Sequence, residues 1–316
     1  MSIGRAQGYP DYTATGTANY IPELYSATVL EKWYLMTCLQ KVTTNKYIGE
    51  IKAKGDAVYV RTRPTITISD FVNDQSIVWQ NAISDSVKIT VDNAKYFAFK
   101  ISDITDYQSD INLLEQDSMD AAEQMKIAIE NVVFSAIDSQ AHASNIGATA
   151  GAISGRYNLG TSGAPVTLSA SNMINYIAYA KGVLEEQYVP DDGNRFIIFP
   201  AWGEVEFMLS DAKNASFLDS SKASILMNGM IQKFLGFNVF VSNNLEVATD
   251  GSDTVTKILF GHPNAICYAD NLVKTEMFDQ LETTFGKGMK GLHVFGYKVV
   301  KPEGLGYIYA KPPAIT

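Results

Sequence analysis

Hydrophobic and polar residues alternate with a period of two from about position 48 to position 101, the pattern that is typical of β-strands. The apolar positions on the outward half and on the return half are Val58, Val60, Ile66 and Ile68, followed by Val87, Ile89 and Val91. The pattern predicts a long β-hairpin, with residues 70–85 as an unusually long connection between its halves. Because a two-stranded hairpin is marginal in water by itself, we expect a partner surface to cover it.

Apolar residues then recur at helical spacing and predict a helix from about 111 to 139, roughly 40 Å long. Its predicted inward stripe is Ile111, Leu114, Ala122, Met125, Ile129, Val132 and Ala136. A stretch rich in Gly, Ser and Ala at 141–165 is predicted to separate two lobes. The elements predicted beyond it are a helix at 169–188, strands at 196–199, 238–241 and 257–260, a hairpin turn at Asp250-Gly251, and renewed alternation from 291 to 310. Interspersed helices and strands without regular βαβ succession indicate the α+β class.

The first 20 residues are polar and rich in Gly and Thr, with Tyr9, Tyr12 and Tyr20 spaced among them. We expect an extended arm whose tyrosines anchor it on a neighbouring surface, because an aromatic ring offers a large contact area with a polar tip. A flexible tail is the alternative. A short helix opened by Pro22 is predicted to follow.

Charge and composition exclude several classes of protein. Acidic side chains outnumber basic ones by 34 to 25, and the net charge of −9 argues against a main task of binding phosphate backbones. The two cysteines, Cys38 and Cys267, form neither a disulfide framework nor a metal knuckle. No segment resembles a signal peptide or approaches the roughly 20 apolar residues of a membrane span, so we expect no membrane association.

Motifs that would carry catalysis are weak. The string Gly286-Lys-Gly288-Met-Lys-Gly291 satisfies the GxGxxG pattern, but a dinucleotide site needs a strand before it and a helix after it. Here a helix-like segment at 278–285 precedes it, so a locally basic loop is the preferred interpretation. The three histidines lack metal-ligand spacing, Asp191-Asp192 is interpreted as a turn, and Cys38 as a buried apolar residue. No catalytic, cofactor-binding or metal-binding residue is predicted.

Five local strings in a fixed order resemble the major capsid proteins of tailed bacteriophages, the family with the HK97-type fold. They are Tyr20-Ile-Pro-Glu-Leu-Tyr-Ser26, Gly55-Asp-Ala-Val-Tyr-Val-Arg61, Val189-Pro190 through Arg195-Phe-Ile-Ile-Phe-Pro200, Gly236-Phe-Asn-Val-Phe-Val-Ser-Asn-Asn244 and Gly296-Tyr-Lys-Val-Val300. The resemblance covers positions 20–310. It implies an N-terminal arm and short helix at 1–45, an extended β-hairpin loop at 46–102, a peripheral domain with a long spine helix at 103–164, a mixed α/β axial domain at 165–275, and return strands of the peripheral domain at 276–316.

The resemblance also implies a function: self-assembly through arm and loop contacts into an icosahedral shell of hexamers and pentamers around packaged double-stranded DNA, which is not bound specifically. It implies no enzyme activity and no cofactor. The implied partners are other copies of the chain, a portal protein and a decoration or cement protein, and the implied location is the virion after assembly in the host cytoplasm. No lysine lies between Gly55 and Val87, so we expect no self-crosslinking through this loop. The arm begins at Met1 without a long helical extension, so we expect a separate scaffolding protein.

Three groups of side chains are predicted to make the contacts between subunits: Tyr9, Tyr12 and Tyr20 on the arm; Asp70, Phe71, Asp74, Trp79 and Asp85 at the loop tip; and Arg61, Arg63, Lys287 and Lys290 as basic partners on an adjacent copy. Two other functions stay open at this point. One is the shell of an encapsulin-like nanocompartment, which shares the fold, and the other is a soluble nucleotide-binding enzyme that uses the GxGxxG string.

Overall fold

The computed structural model describes residues 37–46, 57–61, 64, 66–71, 73, 75–81, 86–108, 112–210, 233–281 and 284–314. The α-helices in these ranges are α1 (Leu39–Val42), α2 (Asp103–Gln108), α3 (Leu113–Ile137), α4 (Met173–Glu186) and α5 (Ala201–Leu209). The strands are β1 (Ala57–Arg61), β2 (Ser86–Thr90), β3 (Asn93–Ser102), β4 (Val166–Thr167), β5 (Phe196–Phe199), β6 (Lys233–Phe234), β7 (Phe237–Val241), β8 (Val247–Asp250), β9 (Asp253–Gly261), β10 (Ile266–Phe278), β11 (Gly286–Val299) and β12 (Leu305–Lys311). The mixture of helices and strands agrees with the predicted α+β class.

The strands form three sheets. β1 and β2 make an antiparallel pair, β10, β11 and β3 form an antiparallel sheet in that order, and the other strands form a mixed sheet of order β4-β12-β9-β5-β7-β6 with β8 beside β9. The pairs β4–β12 and β5–β7 are parallel. Residues 276–316, predicted to return to the peripheral domain, contribute β11 to the three-stranded sheet and β12 to the mixed sheet. The predicted domain boundaries stay predictions.

Strand β5 lies at the centre of the mixed sheet and is buried on both faces. Phe196 and Ile198 pack towards helix α3, whereas Ile197 and Phe199 pack towards α4 and α5. This two-sided burial explains why four consecutive apolar residues occur here instead of an alternating pattern. The two hydrophobic clusters of the subunit therefore share β5 as their common wall.

Helix α3 is roughly 37 Å long at about 1.5 Å per residue, and it connects the two larger sheets. Its last three turns pack on the mixed sheet through Ile129, Val133, Phe134 and Ile137. The prediction of this helix is confirmed, but its buried stripe is displaced by one position from the predicted Val132 and Ala136, which are half-buried. Farther towards its N-terminus, the helix borders a groove of about 630 Å³ beside β3 and β11.

Glu130 of α3 is completely buried and contacts two distant parts of the chain. It accepts hydrogen bonds from the backbone N–H groups of Cys38 and Leu39 at 2.8 and 3.1 Å, at the start of α1. The Ser242 hydroxyl and the Asn244 amide, which follow β7, donate to its other oxygen at 2.8 and 3.2 Å. Every contact is a donor facing an acceptor, so this side chain joins α1, α3 and the end of β7 through hydrogen bonds.

Glu130→Ala should lower the free energy of unfolding by about 3 kcal/mol or more, since each buried donor left without an acceptor costs about 1–3 kcal/mol. The measurement is chemical denaturation of the purified subunit. Glu123→Gln is the matched control, because it breaks an exposed ion pair with Lys126 on the same helix and should change stability by less than about 0.5 kcal/mol. Equal losses in the two variants would show that Glu130 does not hold these parts together.

Candidate functional site

The excursion, which we define as residues 57–90, is fastened to the subunit at its base. Its two ends form the β1–β2 pair, with Val60 opposite Val87. Ile89 is fully buried in a cluster with Cys267, and half-buried Val60 packs on the same cluster. The stem therefore has an apolar attachment within its own subunit.

The end of β2, at Thr90, lies in close contact with the three-stranded sheet. A Cβ atom at Gly296 on β11 would lie 2.2 Å from the carbonyl oxygen of Thr90, so only glycine allows the two backbones to approach so closely. The next residue, Val91, is buried with Ala269 and Val294. The direction in which the excursion departs is thus determined by backbone packing on β11.

The tip of the excursion exposes apolar side chains that nothing in the described part of its own subunit covers. Gln80 and Thr67 close the tip with two hydrogen bonds: Thr67 N–H donates to Gln80 Oε1 at 3.0 Å, and Gln80 Nε2 donates to the Thr67 carbonyl at 2.7 Å. Trp79 is 90% exposed. The other large exposed apolar side chains are Ile66, Ile68, Phe71, Ile77 and Val78. Such a concentration of exposed apolar surface is typical of a protein interaction site.

Six of the twelve residues predicted to contact another subunit can be located in the structure. Asp70, Phe71 and Trp79 are exposed in the tip, Arg61 is exposed on β1, and Lys287 and Lys290 lie on β11. Tyr9, Tyr12, Tyr20, Arg63, Asp74 and Asp85 lie outside the described residues. Ile77 and Val78 are also exposed in the predicted loop, and their apolar character there was the signal for them. Ile66 and Ile68, predicted to lie on the outgoing strand, lie outside any strand and are exposed as well.

Lys290 already has an acidic partner within its own subunit. Its ammonium group lies 2.9 Å from Glu276 and 4.5 Å from the centre of the Phe278 ring. Lys274 also contacts Glu276, at 2.5 Å, and hydrogen bonds from the two lysines lower the pKa of this carboxyl to about 2. More than half of the Lys290 side chain nevertheless stays exposed. A carboxylate of another subunit could therefore reach it, but would compete with Glu276 for the same ammonium group.

The GxGxxG string forms part of a β-strand. Residues 286–291 belong to β11 and pair with β3, and Gly288 to Gly291 pair with β10 as well. The helix-like segment predicted before them is wrong, because β10 ends only at Phe278 and bends follow. A Cβ atom at Gly291 would lie 2.2 Å from the Phe97 ring, so this glycine serves sheet packing. A strand paired on both sides lacks the helix N-terminus that a nucleotide phosphate needs.

Cys38, interpreted from the sequence as a buried apolar residue, is buried beside Glu130. Burial, followed by the nearby Glu130 carboxylate, raises the pKa of the Cys38 thiol far above its ordinary value. The sulfur faces Glu130 at 3.9 Å, while Nε2 of His293, which lines the same groove, lies 3.4 Å from the Tyr268 hydroxyl. A protonated thiol that faces a carboxylate is not an activated nucleophile.

The described residues offer no cluster of His, Cys, Asp and Glu that could hold a metal ion. Asp192, in the segment predicted to be a turn, accepts hydrogen bonds from Asn194, which with a contact to His262 lower its pKa to about 2. Asp250 and Asp253 face each other across a hairpin turn through Gly251, as predicted. Within the same ranges, no helix combines the length and the apolar character needed to cross a membrane.

Comparisons with known proteins agree with the fold. A family model described as phage capsid protein matches residues 87–308, well over half of the chain. A structure from Mycobacterium phage Che8 is similar with a TM-score of 0.73 at 23% identity, over 93% of this chain and 97% of that one. The capsid of cyanophage P-SCSP1u has a TM-score of 0.74 at 15% identity, over 97% and 98%. The mature capsid of bacteriophage PhiM1 has a TM-score of 0.66 at 12% identity, over 98% of both chains. No curated protein matches the chain.

Gln80→Ala should release the tip, because both hydrogen bonds to Thr67 are lost. We expect the Thr67 amide to exchange its hydrogen roughly five- to tenfold faster, which corresponds to the loss of one exposed hydrogen bond. Gln80→Glu is the control, since it keeps an acceptor for the Thr67 N–H and should retain most of the protection. Unchanged exchange in Gln80→Ala would contradict the closure of the tip by this pair.

Proposed function

Because the chain belongs to the phage capsid protein family and is a phage major capsid protein that self-assembles into a capsid lattice, we propose that the excursion and the N-terminal arm make the contacts that close its icosahedral shell. The observation that carries this proposal is the exposed apolar tip. Surface of this kind is unfavourable in water and is stabilised when a neighbouring copy covers it. Repeated contacts between unlike surfaces generate closed rings when the rotation between copies closes.

Within this contact, Phe71 and Trp79 are the proposed anchors, since large aromatic side chains dominate the energetics of interfaces. Asp70, Asp74 and Asp85 are proposed to face basic groups of an adjacent copy. The candidates for those basic groups are Arg61, Arg63, Lys287 and Lys290. Arg61 is the favoured partner over Lys290, because Lys290 already has an ion pair with Glu276 within its own subunit. Tyr9, Tyr12 and Tyr20 are proposed to anchor the arm on a neighbouring subunit.

The net charge of −9 is consistent with a shell that encloses DNA without binding it tightly, because tight binding of phosphates requires positive charge. We propose that the shell encloses double-stranded DNA without specific binding and is assembled in the host cytoplasm. A separate scaffolding protein, a portal protein and a decoration protein are the proposed partners. We propose no enzymatic role for this chain, since its GxGxxG string is occupied by strand pairing and its Cys38 thiol is held protonated.

Trp79→Ala should weaken assembly much more than it weakens the fold. Removal of an interface anchor is expected to raise the protein concentration needed for shell formation by about tenfold. The melting temperature of the subunit should stay within about 1 °C, because a side chain that is 90% exposed contributes little to the core. Particles are counted by gradient sedimentation and negative-stain electron microscopy.

Trp79→Phe is the control for this experiment, since it keeps an aromatic anchor and should assemble nearly as well as the wild type. A melting temperature that falls in proportion to the loss of assembly would contradict the assignment of Trp79 to an interface.

Assembly should become faster as ionic strength rises. Copies with a net charge of −9 repel one another, and the screening length falls from about 10 Å at 0.1 M salt to about 3 Å at 1 M. Light scattering across that range of sodium chloride measures the effect, with sucrose at matched osmolality as the uncharged control. A rate that does not depend on salt would refute the role given to repulsion.

A further inference from the structure

The C-terminal end of helix α4 has a tyrosine at a position that ordinarily favours glycine. The N–H of Val189 donates to the Leu184 carbonyl and the N–H of Tyr188 donates to the Glu185 carbonyl, both at 3.0 Å. This pair of bonds is the Schellman arrangement, in which the first residue beyond the helix cap is left-handed. Tyr188 occupies that position with φ of 56°. A bulky residue is strained in this conformation, whereas glycine adopts it freely.

The backbone that follows Tyr188 is fixed by a buried arginine. Arg195 is completely buried, and its guanidinium donates to the Val189 carbonyl at 2.6 Å and to the Pro190 carbonyl at 3.2 Å. Val189 also packs on the core cluster that contains Leu184. The backbone on both sides of Tyr188 is therefore fixed, so the position of its ring is determined by the fold.

The ring makes little contact with the described part of its own subunit, because Tyr188 is 86% exposed. Strain that the fold maintains without a local benefit is typical of a functional position. The ring stands at the rim of a hollow of about 260 Å³, which Pro190, His262, Lys301 and Glu303 help to line. A projecting ring beside a recess is a shape that suits contact between unlike surfaces of two copies.

The charges around Tyr188 favour a protein partner over nucleic acid. Glu185 is paired with Lys181, Glu186 accepts the N–H groups of Ile153 and Ser154, and Asp191 is paired with Lys181. The acidic groups are thus satisfied within the subunit, and Lys301 and Glu303 at the rim oppose each other in charge. The charged groups around the ring are held by contacts within the subunit, and the named acidic groups outnumber the basic ones. An aromatic ring in this setting suits the core of a protein interface, whereas phosphate binding requires an excess of positive charge.

We infer that Tyr188 is an aromatic anchor that packs against a neighbouring copy of this chain. The inference rests on the proposed assembly into a shell, where each subunit is surrounded by identical copies. It adds a contact on the lobe built from the mixed sheet, separate from the excursion. The left-handed backbone places the ring outward, so the subunit accepts strain in its own fold for a contact made only in the assembly.

Tyr188→Gly tests this inference because its expected effects on the fold and on assembly have opposite signs. Relief of the left-handed strain should keep the melting temperature equal to the wild type or raise it by up to about 2 °C. Loss of the ring should raise the concentration needed for shell formation by about tenfold. Tyr188→Asn, which also tolerates this backbone, provides a second variant, and Tyr188→Phe should assemble almost as well as the wild type.

Leu235→Gly is the matched control. Leu235 also has a left-handed backbone, with φ of 47°, in the turn between β6 and β7, but only 39% of its side chain is exposed. It should show the same change in melting temperature without a loss of shells. Normal assembly of both Tyr188→Gly and Tyr188→Asn, or a melting temperature clearly below that of the wild type, would overturn the inference.

The same assay with Trp79→Ala separates this inference from the proposed function. Impaired assembly in Trp79→Ala together with normal assembly in the Tyr188 variants overturns the anchor role of Tyr188 alone. Normal assembly in all of these variants overturns the proposed excursion contact as well.

Discussion

The subunit depends on one buried carboxylate. Glu130 lies where helix α3 passes between the mixed sheet and the segment that contains α1, and its oxygens accept from donors in both. Burial of a charged group without a cation is costly unless hydrogen bonds replace its water. Here the replacement comes from residues that are 91 to 114 positions away in sequence. The carboxylate is therefore satisfied only when all three parts are in place, and this requirement makes their association specific.

Some apolar side chains of the subunit form its core, and others are exposed on the excursion. The core clusters around β5 stabilise the lobes, whereas the exposed apolar residues of the excursion lie beyond the paired strands β1 and β2. Burial of Ile89 holds the base, and the Gly296 contact sets the direction of departure. In the proposed contact, a fixed base would hold the tip at a defined place, which limits the entropy lost on binding.

Sequence patterns predicted those parts of the fold that depend on residues close together in the chain. The period-two alternation predicted the pairing of β1 with β2, the apolar run at 196–199 predicted the buried strand β5, and Asp250-Gly251 predicted a hairpin turn. The predicted return half of the hairpin was too long, because residues 93–102 form β3 and pair with β11. The failures concern contacts between distant residues. The glycines of β11 indicated a loop, because the Phe97 ring that requires Gly291 belongs to a strand almost 200 positions earlier. The importance of Glu130 was equally hidden, since a glutamate on a helix ordinarily faces water.

Tyr188 and the excursion tip are both exposed in the single subunit, and this exposure bears on the order of folding and assembly. Both are largely exposed in the described part of the subunit, so the proposed contacts do not have to form before the subunit folds. The lobes are held by Glu130, the β5 clusters and Arg195, none of which needs a second copy. The lobes can therefore fold before assembly while the exposed apolar tip remains uncovered. In the proposed assembly, the net charge of −9 opposes premature association of these apolar surfaces, because copies of like charge repel one another.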